Sequence, residues 1–441
     1  MAALVLASAP IMIAESKLAT TDAVLMLTIT LGFSALWELE QRESKRWAVI
    51  FWVALALGVL TKGPVGPAMI LAAGLTSWVA GGPRSCWFRL RPKLGLLLFL
   101  ALVLPWYVAI SVVTRGEFLK FALGEQVLTR MTTELETHGG FPGYYLVSTL
   151  FSFYPWSCLL PAALLAAWFR RRSGRNVGFL IGWIVGPLIL LECVRTKLLH
   201  YYLPSIAGCS LLVAWVVFQV SDAGVNLRRW PLGRLAVGLI AGLGAAMAVG
   251  LTAAGFVAEG APRWALLAMG MVLVSGTLVA IGRIHAGRTI PAAHALVATW
   301  CLTMLAFGGW LLPAIEPYRL TPLVAEKLET LVKTEKATPL LANFRPPGVI
   351  FDMGHPVGPL RDRLELYRNI KEGGAVVSAL DDGELKLVRK APELKVEVRE
   401  RVQGFDVETA RQTELTLVVI RASGLPPPIV RRTGGQETLV K

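Results

Sequence analysis

The chain has 441 residues, is 54% hydrophobic and carries a formal net charge of +14, with a mean hydropathy of +0.57. That hydropathy excludes an ordinary soluble globular protein and points to several membrane spans. The positive charge does not mark a nucleic-acid-binding protein, because the basic residues fall in short loops between apolar runs, where membrane topology accounts for them.

Taken in chain order, apolar segments are predicted at about 2–14, 22–38, 47–61, 63–80, 94–113, 145–169, 177–194, 198–220, 235–258, 263–283 and 290–313. These amount to about eleven spans of a polytopic α-helical membrane protein. The two pieces flanking Lys62 are short, roughly 21–26 Å of helix, a length suited to local thinning or a re-entrant hairpin. Met1 is followed directly by an apolar run without a basic flank, so no secretory leader is expected. The five cysteines, Cys86, Cys158, Cys193, Cys209 and Cys301, lie in or beside apolar runs without metal-ligand spacing. Free thiols, not a disulfide framework, are the expectation.

Loop charges alternate along the chain. One set of loops holds Arg42, Lys45 and Arg46, then Arg84 to Lys93, Arg170 to Arg175, Arg228 to Arg234, and Arg283 with Arg288, with few acids. The other set holds Lys17, Lys62, Arg115, Lys120, Arg130, Arg195, Lys197 and Arg263, balanced by Glu15, Asp22, Glu117, Glu125, Glu134, Glu136 and Glu259. The positive-inside rule makes the first set cytoplasmic and the second external.

After Pro313 the composition changes. An amphipathic helix is predicted at Thr321–Thr334, then strands near 339–344 and 349–353, a helix near 362–371, and strands near 375–380, 394–401 and 415–421. The chain therefore divides into a membrane domain (1–315), a connecting helix (316–335), a small α/β domain (336–422) and a tail (423–441) expected to lack order. By the parity of the span count, the α/β domain lies outside the membrane on the external side.

The unusual residues all fall on the external set. Glu15, Lys17 and Asp22 interrupt two apolar runs. Charges at the edge of a hydrocarbon layer are costly unless they cap, pair or work. Thr20, Thr21 or Asp22 as a helix N-cap is the structural alternative to a site. Lys62, held between apolar pieces by Gly63 and Pro64, either snorkels to the headgroups or pairs with a lipid phosphate. Arg195, Lys197 and His200 form a second cationic group, followed by Tyr201 and Tyr202, residues that also serve as interfacial anchors. The long stretch from Arg115 to Tyr145, with His138, Tyr144 and Tyr145, is placed to cover a site at the membrane surface. Its Glu and His residues match no spacing of a metal-ligand set.

Several of these motifs occur in a telling order: Glu15 with Asp22, Leu60-Thr61-Lys62-Gly63-Pro64, Pro105-Trp106-Tyr107, His138-Gly139-Gly140-Phe141-Pro142 with Tyr144-Tyr145, Pro155-Trp156, and Thr196-Lys197-Leu198-Leu199-His200-Tyr201-Tyr202-Leu203-Pro204. In this the chain resembles the integral-membrane glycosyltransferases of the GT-C class, on the bacterial branch of the protein O-mannosyltransferases and the lipid A aminoarabinose transferase. Phe344-Arg345-Pro346-Pro347 and Phe351 resemble part of that family's extracytoplasmic C-terminal domain. The resemblance covers about residues 2–422. It implies an enzyme of the bacterial cytoplasmic membrane that moves a sugar from a polyprenyl-phosphate donor to a lipid, glycan or protein acceptor at the outer face, with no cofactor. It places Asp22 and Glu15 at the catalytic pocket, Lys62, Arg195, Lys197, His200 and Tyr201 at the donor phosphate, and His138, Tyr144 and Tyr145 over the site. Family members open with further spans and an external loop carrying an acidic residue held to be the base. Met1 stands within that pattern, which implies a fragment or a degenerate copy lacking the base. The alternative class, a lipid or solute transporter or a non-catalytic scaffold, would show repeated halves or charges near the bilayer midplane.

Overall fold

The computed structural model describes residues 1–18, 20–122, 140–171, 175–224, 231–257, 263–344, 346–360, 363–406, 411–424, 430–433 and 436–439. The chain forms two compact units, one of Met1–Val257 with Arg263–Phe307, the other from Gly308 onward.

The first unit is helical throughout its described core. Its described helices of six residues or more are α1 (Ala2–Ala7), α2 (Pro10–Glu15), α3 (Asp22–Gln41), α4 (Lys45–Lys62), α5 (Val65–Val79), α6 (Pro92–Val113), α7 (Tyr144–Ser152), α8 (Leu160–Arg170), α9 (Arg175–Glu192), α10 (Leu203–Asp222), α11 (Pro231–Val257), α12 (Arg263–His285) and α13 (Thr289–Ala306). Every predicted apolar segment is thus helical, but they are not all single spans. Among the described residues, six helices are long and apolar enough to cross a bilayer: Asp22–Gln41, Pro92–Val113, Leu199–Asp222, Leu232–Phe256, Arg263–His285 and Thr289–Tyr318. Val65–Val79, Trp156–Arg170 and Val177–Glu192 are apolar but shorter. Helix α4 has the length but carries Lys45, Arg46 and Lys62, and prolines shape two other segments. Pro10 and Pro161 sit in the first turns of α2 and α8, where a missing N–H is tolerated but an uninterrupted helix is not.

Small residues let two of the shorter helices meet. Gly178, Gly182 and Gly186 recur at one-turn spacing on α9 and face α5 and the residues after it. A Cβ at Gly182 would stand 2.5 Å from the Ala73 carbonyl oxygen, and one at Gly186 would stand 2.5 Å from the Ala72 backbone. Backbones that close need glycine, the usual device of helix pairs in membranes. Beside this seam, Phe33 of α3 stacks on Trp183 of α9 at 4.3 Å between ring centroids. Such aromatic pairs add to the area they bury. The fully buried Trp156 donates from its indole to Ser8 Oγ at 2.9 Å, which ties the start of the chain to the segment before α8. By contrast α6 is only 6% buried, with Leu94, Leu97, Val112 and Val113 outward. A helix so apolar and so bare is one that faces lipid.

The second unit carries the small sheet. Strands β1 (Thr338–Leu341), β2 (Gly358–Pro359), β3 (Val376–Leu380), β4 (Leu394–Asp406) and β5 (Arg411–Ala422) lie in the order β2-β1-β3-β5-β4. β1 runs parallel to β2 and β3, while β3–β5 and β5–β4 are antiparallel. Alternation places Val377, Ala379, Leu417 and Val419 on one face, against Val324 and Leu328 of α14 (Leu320–Glu335). Val376, Leu380, Val418 and Ile420 face the other way, onto Leu366 and Ile370 of a helix at Arg363–Gly373. Both faces are covered, which explains the continuous apolar runs of β3 and β5.

Three expectations for this unit change. Residues 349–353, predicted as a strand, belong to helix α15 (Pro347–Met353). Pro347 at its first position and Gly354 beyond its end, at φ 70°, are stop and start signals that outweigh the β propensity of Val349 and Ile350. A helix at Asp382–Arg389 was not predicted; Asp381 caps it and Glu384 returns the bond, a complete capping box. In the tail expected to lack order, Val430–Thr433 and Gln436–Leu439 pair antiparallel.

Candidate active site

Several of the motifs converge because four element ends meet. Glu15 ends α2, Asp22 begins α3, Lys62 ends α4, and His200 and Tyr201 lie in a 3-10 turn, Leu199–Tyr202, just before α10. Gly63 releases the chain after Lys62 at φ 62°, a left-handed value that glycine adopts without strain.

Lys62 Nζ lies 2.6 Å from Asp22 Oδ1 and 4.7 Å from the centre of the Tyr201 ring. His200 stands between the two acids, with Nδ1 3.7 Å from Glu15 Oε1 and Nε2 3.8 Å from Asp22 Oδ2. The Thr20 hydroxyl donates to Glu15 Oε2 at 2.7 Å. Glu15 and Asp22 are each only 4% exposed. These distances bear on the capping reading of Asp22. Thr21 holds the N-cap position without a side-chain bond, and Asp22 is the first residue inside the helix. Its carboxylate goes to a lysine on another helix. The macrodipole at the α3 N-terminus favours a negative charge there, but the specific partner is Lys62.

The cluster holds two carboxylates and one ammonium. The imidazole of His200 lies between the two acids. Buried acids stand beside one partly exposed lysine and one partly exposed histidine, a polar cluster in an apolar body. Such a cluster can orient a hydroxyl by its acids and an anion by its ammonium.

Not every predicted residue joins it. Lys197 was expected beside Lys62, yet its ammonium is buried in a separate pair, 2.6 Å from Glu192 Oε2 and 3.1 Å from the Glu192 carbonyl oxygen. An ammonium so enclosed is matched within the protein. Arg195 is exposed and lies outside the ion pairs of the cluster. Tyr145 is fully buried, and its ring is 6.2 Å from that of Tyr202. Tyr144 is half-buried and packs edge-on against Tyr145 at 5.2 Å. Both belong to the first turn of α7, which packs against α2 and the Leu199–Tyr202 turn. His138 lies outside the described residues. Among the described residues no three His, Cys, Asp or Glu side chains converge in a way that could hold a metal ion.

Sequence reasoning missed Glu192. Its one signal is a lone acid closing an apolar helix, five residues before Lys197. The rest of its environment, the amides of Gly143 and Tyr145, comes from a distant stretch of chain.

Comparison with known proteins gives a consistent picture. Residues 1–116 match the family model of the dolichyl-phosphate-mannose-protein mannosyltransferases. The undecaprenyl phosphate-α-4-amino-4-deoxy-L-arabinose arabinosyl transferase of Edwardsiella ictaluri is 28% identical over 264 residues, 59% of this chain and 47% of the relative. The enzyme of the same name from Pseudomonas aeruginosa is 30% identical over 247 residues, 54% of this chain and 43% of the relative. The chain thus spans about half the length of the curated relatives it matches. In fold it is similar to the crystal structure of ArnT from Cupriavidus metallidurans bound to undecaprenyl phosphate, with a TM-score of 0.71 at 18% identity, covering 97% of this chain and 79% of that one. The apo form of the same protein gives 0.70. In sequence, over just over half its length, the chain is similar to these aminoarabinose transferases, and in fold it is similar to ArnT.

Proposed function

We propose that this protein transfers a sugar from a polyprenyl-phosphate donor to a hydroxyl or phosphate oxygen of a lipid, glycan or protein acceptor at the outer face of the cytoplasmic membrane. The donor class follows the relatives, named for an undecaprenyl-phosphate-linked amino sugar. The observation that carries the reading is the buried cluster of Glu15, Asp22, Lys62 and His200, assembled from four element ends at one end of the helical unit.

The chemistry is one displacement. A bond forms from the acceptor oxygen to the anomeric carbon, the bond from that carbon to the phosphate oxygen breaks, and polyprenyl phosphate leaves with the electron pair. The acceptor proton passes to a base. Lys62, with Tyr201 beside it, faces the charge that grows on the leaving phosphate, and exposed Arg195 can add to that field. Asp22 and Glu15 hold the acceptor hydroxyl or steady the positive charge that develops at the anomeric carbon. Tyr144 and Tyr145 lie on the helix that packs against α2 and the His200 turn. The lipid tail lies along apolar helix surface. The positive-inside rule gives this end and the α/β domain the external side.

The test is transfer by the full chain in proteoliposomes supplied with an undecaprenyl-phosphate aminoarabinose donor and lipid A, read by mass spectrometry of both lipids. Glycosylated acceptor with stoichiometric undecaprenyl phosphate is expected. In binding assays, Lys62→Ala is expected to weaken undecaprenyl phosphate binding about ten- to a hundred-fold, the worth of about 1.5–3 kcal/mol for a charged contact. Lys93→Ala, a charge of the opposite set, leaves it unchanged. Equal losses at both positions, or no product with any lipid-phosphate donor, would overturn the proposal.

A further inference from the structure

The strongest group outside the cluster is the Glu192–Lys197 pair. Glu192 Oε1 accepts from the Tyr145 amide at 3.1 Å and Oε2 from the Gly143 amide at 3.2 Å. Those amides open helix α7, whose N-cap is Gly143 at φ 89°. Free N–H groups at a helix start need acceptors, and an anion suits them best. The same Oε2 binds Lys197 Nζ at 2.6 Å. Lys197 donates a second bond to the Glu192 carbonyl oxygen at 3.1 Å and lies 5.5 Å from the Tyr145 ring centre. Its side chain is 4% exposed. A Cβ at Gly140 would stand 2.6 Å from Lys197 Cδ, so the backbone of the segment before α7 rests directly on the lysine stem.

One carboxylate therefore fastens three things: the end of α9, the start of α7 and the strand-like segment leading to His200. His200 follows Lys197 by one turn of chain and faces both buried acids. We infer that Glu192 is a positioning residue for the cluster: with Lys197 as its buried counter-ion it caps α7 and sets where His200 and Tyr201 stand against Glu15, Asp22 and Lys62. Lys197 is then a structural cation and not a ligand of the donor phosphate. The inference rests on the proposed function for its catalytic consequence, but the geometry it asserts is independent of any substrate.

The experiment uses the full chain and the variants Glu192→Gln, Lys197→Met, Glu192→Gln/Lys197→Met and Lys62→Met. Readouts are the affinity for undecaprenyl phosphate, kcat and KM of transfer, and the imidazole NMR signal of His200 in histidine-labelled protein, identified with His200→Gln. Glu192→Gln should lower kcat about ten-fold, shift the His200 signal and leave undecaprenyl phosphate affinity within about three-fold, because it strands a buried ammonium and disturbs position. Lys197→Met should do the same. The double variant removes both charges together and should recover the His200 signal and most of kcat. Lys62→Met should instead lose affinity. The inference is overturned if Lys197→Met weakens undecaprenyl phosphate binding as much as Lys62→Met. It is equally overturned if the His200 signal is unmoved in both single variants, or if the double variant is no better than either. A parent chain that binds no lipid phosphate and transfers no sugar counts against the proposed function alone, and the His200 signal still decides the positioning.

Discussion

Helix α3 has a charged group at each end, and the two are built differently. Asp22 and Glu40 are separated by about 27 Å of helix rise. At the Glu40 end, Arg89 donates to the carbonyls of Leu39 and Glu40 at 2.8 and 2.7 Å, and Glu40 accepts from the Cys86 amide at 2.9 Å. Arg91 pairs with the exposed Glu43 at 3.2 Å. An arginine on the last carbonyls of a helix completes bonds that the helix leaves open, and the dipole favours it there. Backbone needs thus account for the contacts of Arg89. At the Asp22 end the charged side chains meet one another: Lys62 on Asp22, and His200 between Asp22 and Glu15. No helix terminus requires that arrangement, and two buried acids for one lysine is a poor choice for stability alone. The contrast is between charge that completes backbone bonds and charge that meets charge.

This contrast can be broken experimentally, and the largest effect belongs to neither end. Gly182→Leu would force a side chain into the Ala73 and Ser77 backbone. Overpacking of this kind costs about 1–3 kcal/mol or more, and here the backbone must part, so loss of the folded protein in detergent is expected by size-exclusion chromatography. An unchanged profile would mean that the α5–α9 seam is looser than its distances state. Next comes Arg89→Ala. It should lower stability by about 1–3 kcal/mol through the orphaned carbonyls, read as thermal midpoint, with undecaprenyl phosphate affinity unchanged. A loss of affinity would make the Glu40 end part of the site.

The smallest effect is expected in the second unit, where His355 Nε2 meets Glu329 Oε2 at 2.8 Å near the surface. The Glu329 contact raises the His355 pKa above 6.5, and His355 with Lys333 lowers that of Glu329 below 4.5. The raised histidine stabilises fully below pH 6.5 and loses that contribution as pH climbs through its folded value. The lowered glutamate stabilises above pH 4.5 and loses its share as pH falls through its folded value. The pair is therefore fully effective between pH 4.5 and 6.5 and fades on both sides. Hydrogen exchange at α14 in the full chain should slow slightly within that window, and His355→Ala should abolish the dependence. Identical pH profiles for both proteins would show that the pair is screened by solvent.

Much of this was legible in the sequence, for physical reasons that differ by residue. Glu15, Asp22 and Lys62 stand out because a charge between apolar runs is costly in any membrane fold. The lysine–carboxylate pairing between Asp22 and Lys62 was not legible, because it depends on α3 and α4 lying side by side. Lys197 reads like Lys62 in one dimension, yet it is matched by Glu192, an acid hidden at the end of an apolar helix. Burial separates the two lysines, and no local pattern encodes burial of a cation. The strand expected at 349–353 failed because Pro347 and Gly354 frame a helix too short to show a period. Of the eleven expected spans, six among the described residues have the length and composition to cross a bilayer, and Pro10 divides the first apolar segment.

The central claim, that the Asp22 end of α3 is a site and the Glu40 end is structure, is tested most directly by Asp22→Asn beside Glu40→Gln in the sugar-transfer assay. Asparagine keeps the shape and the hydrogen-bonding oxygen but removes the charge that faces Lys62 and His200. The account predicts at least a ten-fold loss of transfer in Asp22→Asn, about 1.4 kcal/mol of barrier, with the thermal midpoint near that of the parent, and wild-type transfer in Glu40→Gln. Equal transfer by Asp22→Asn and the parent would contradict it and leave the cluster a structural ion pair.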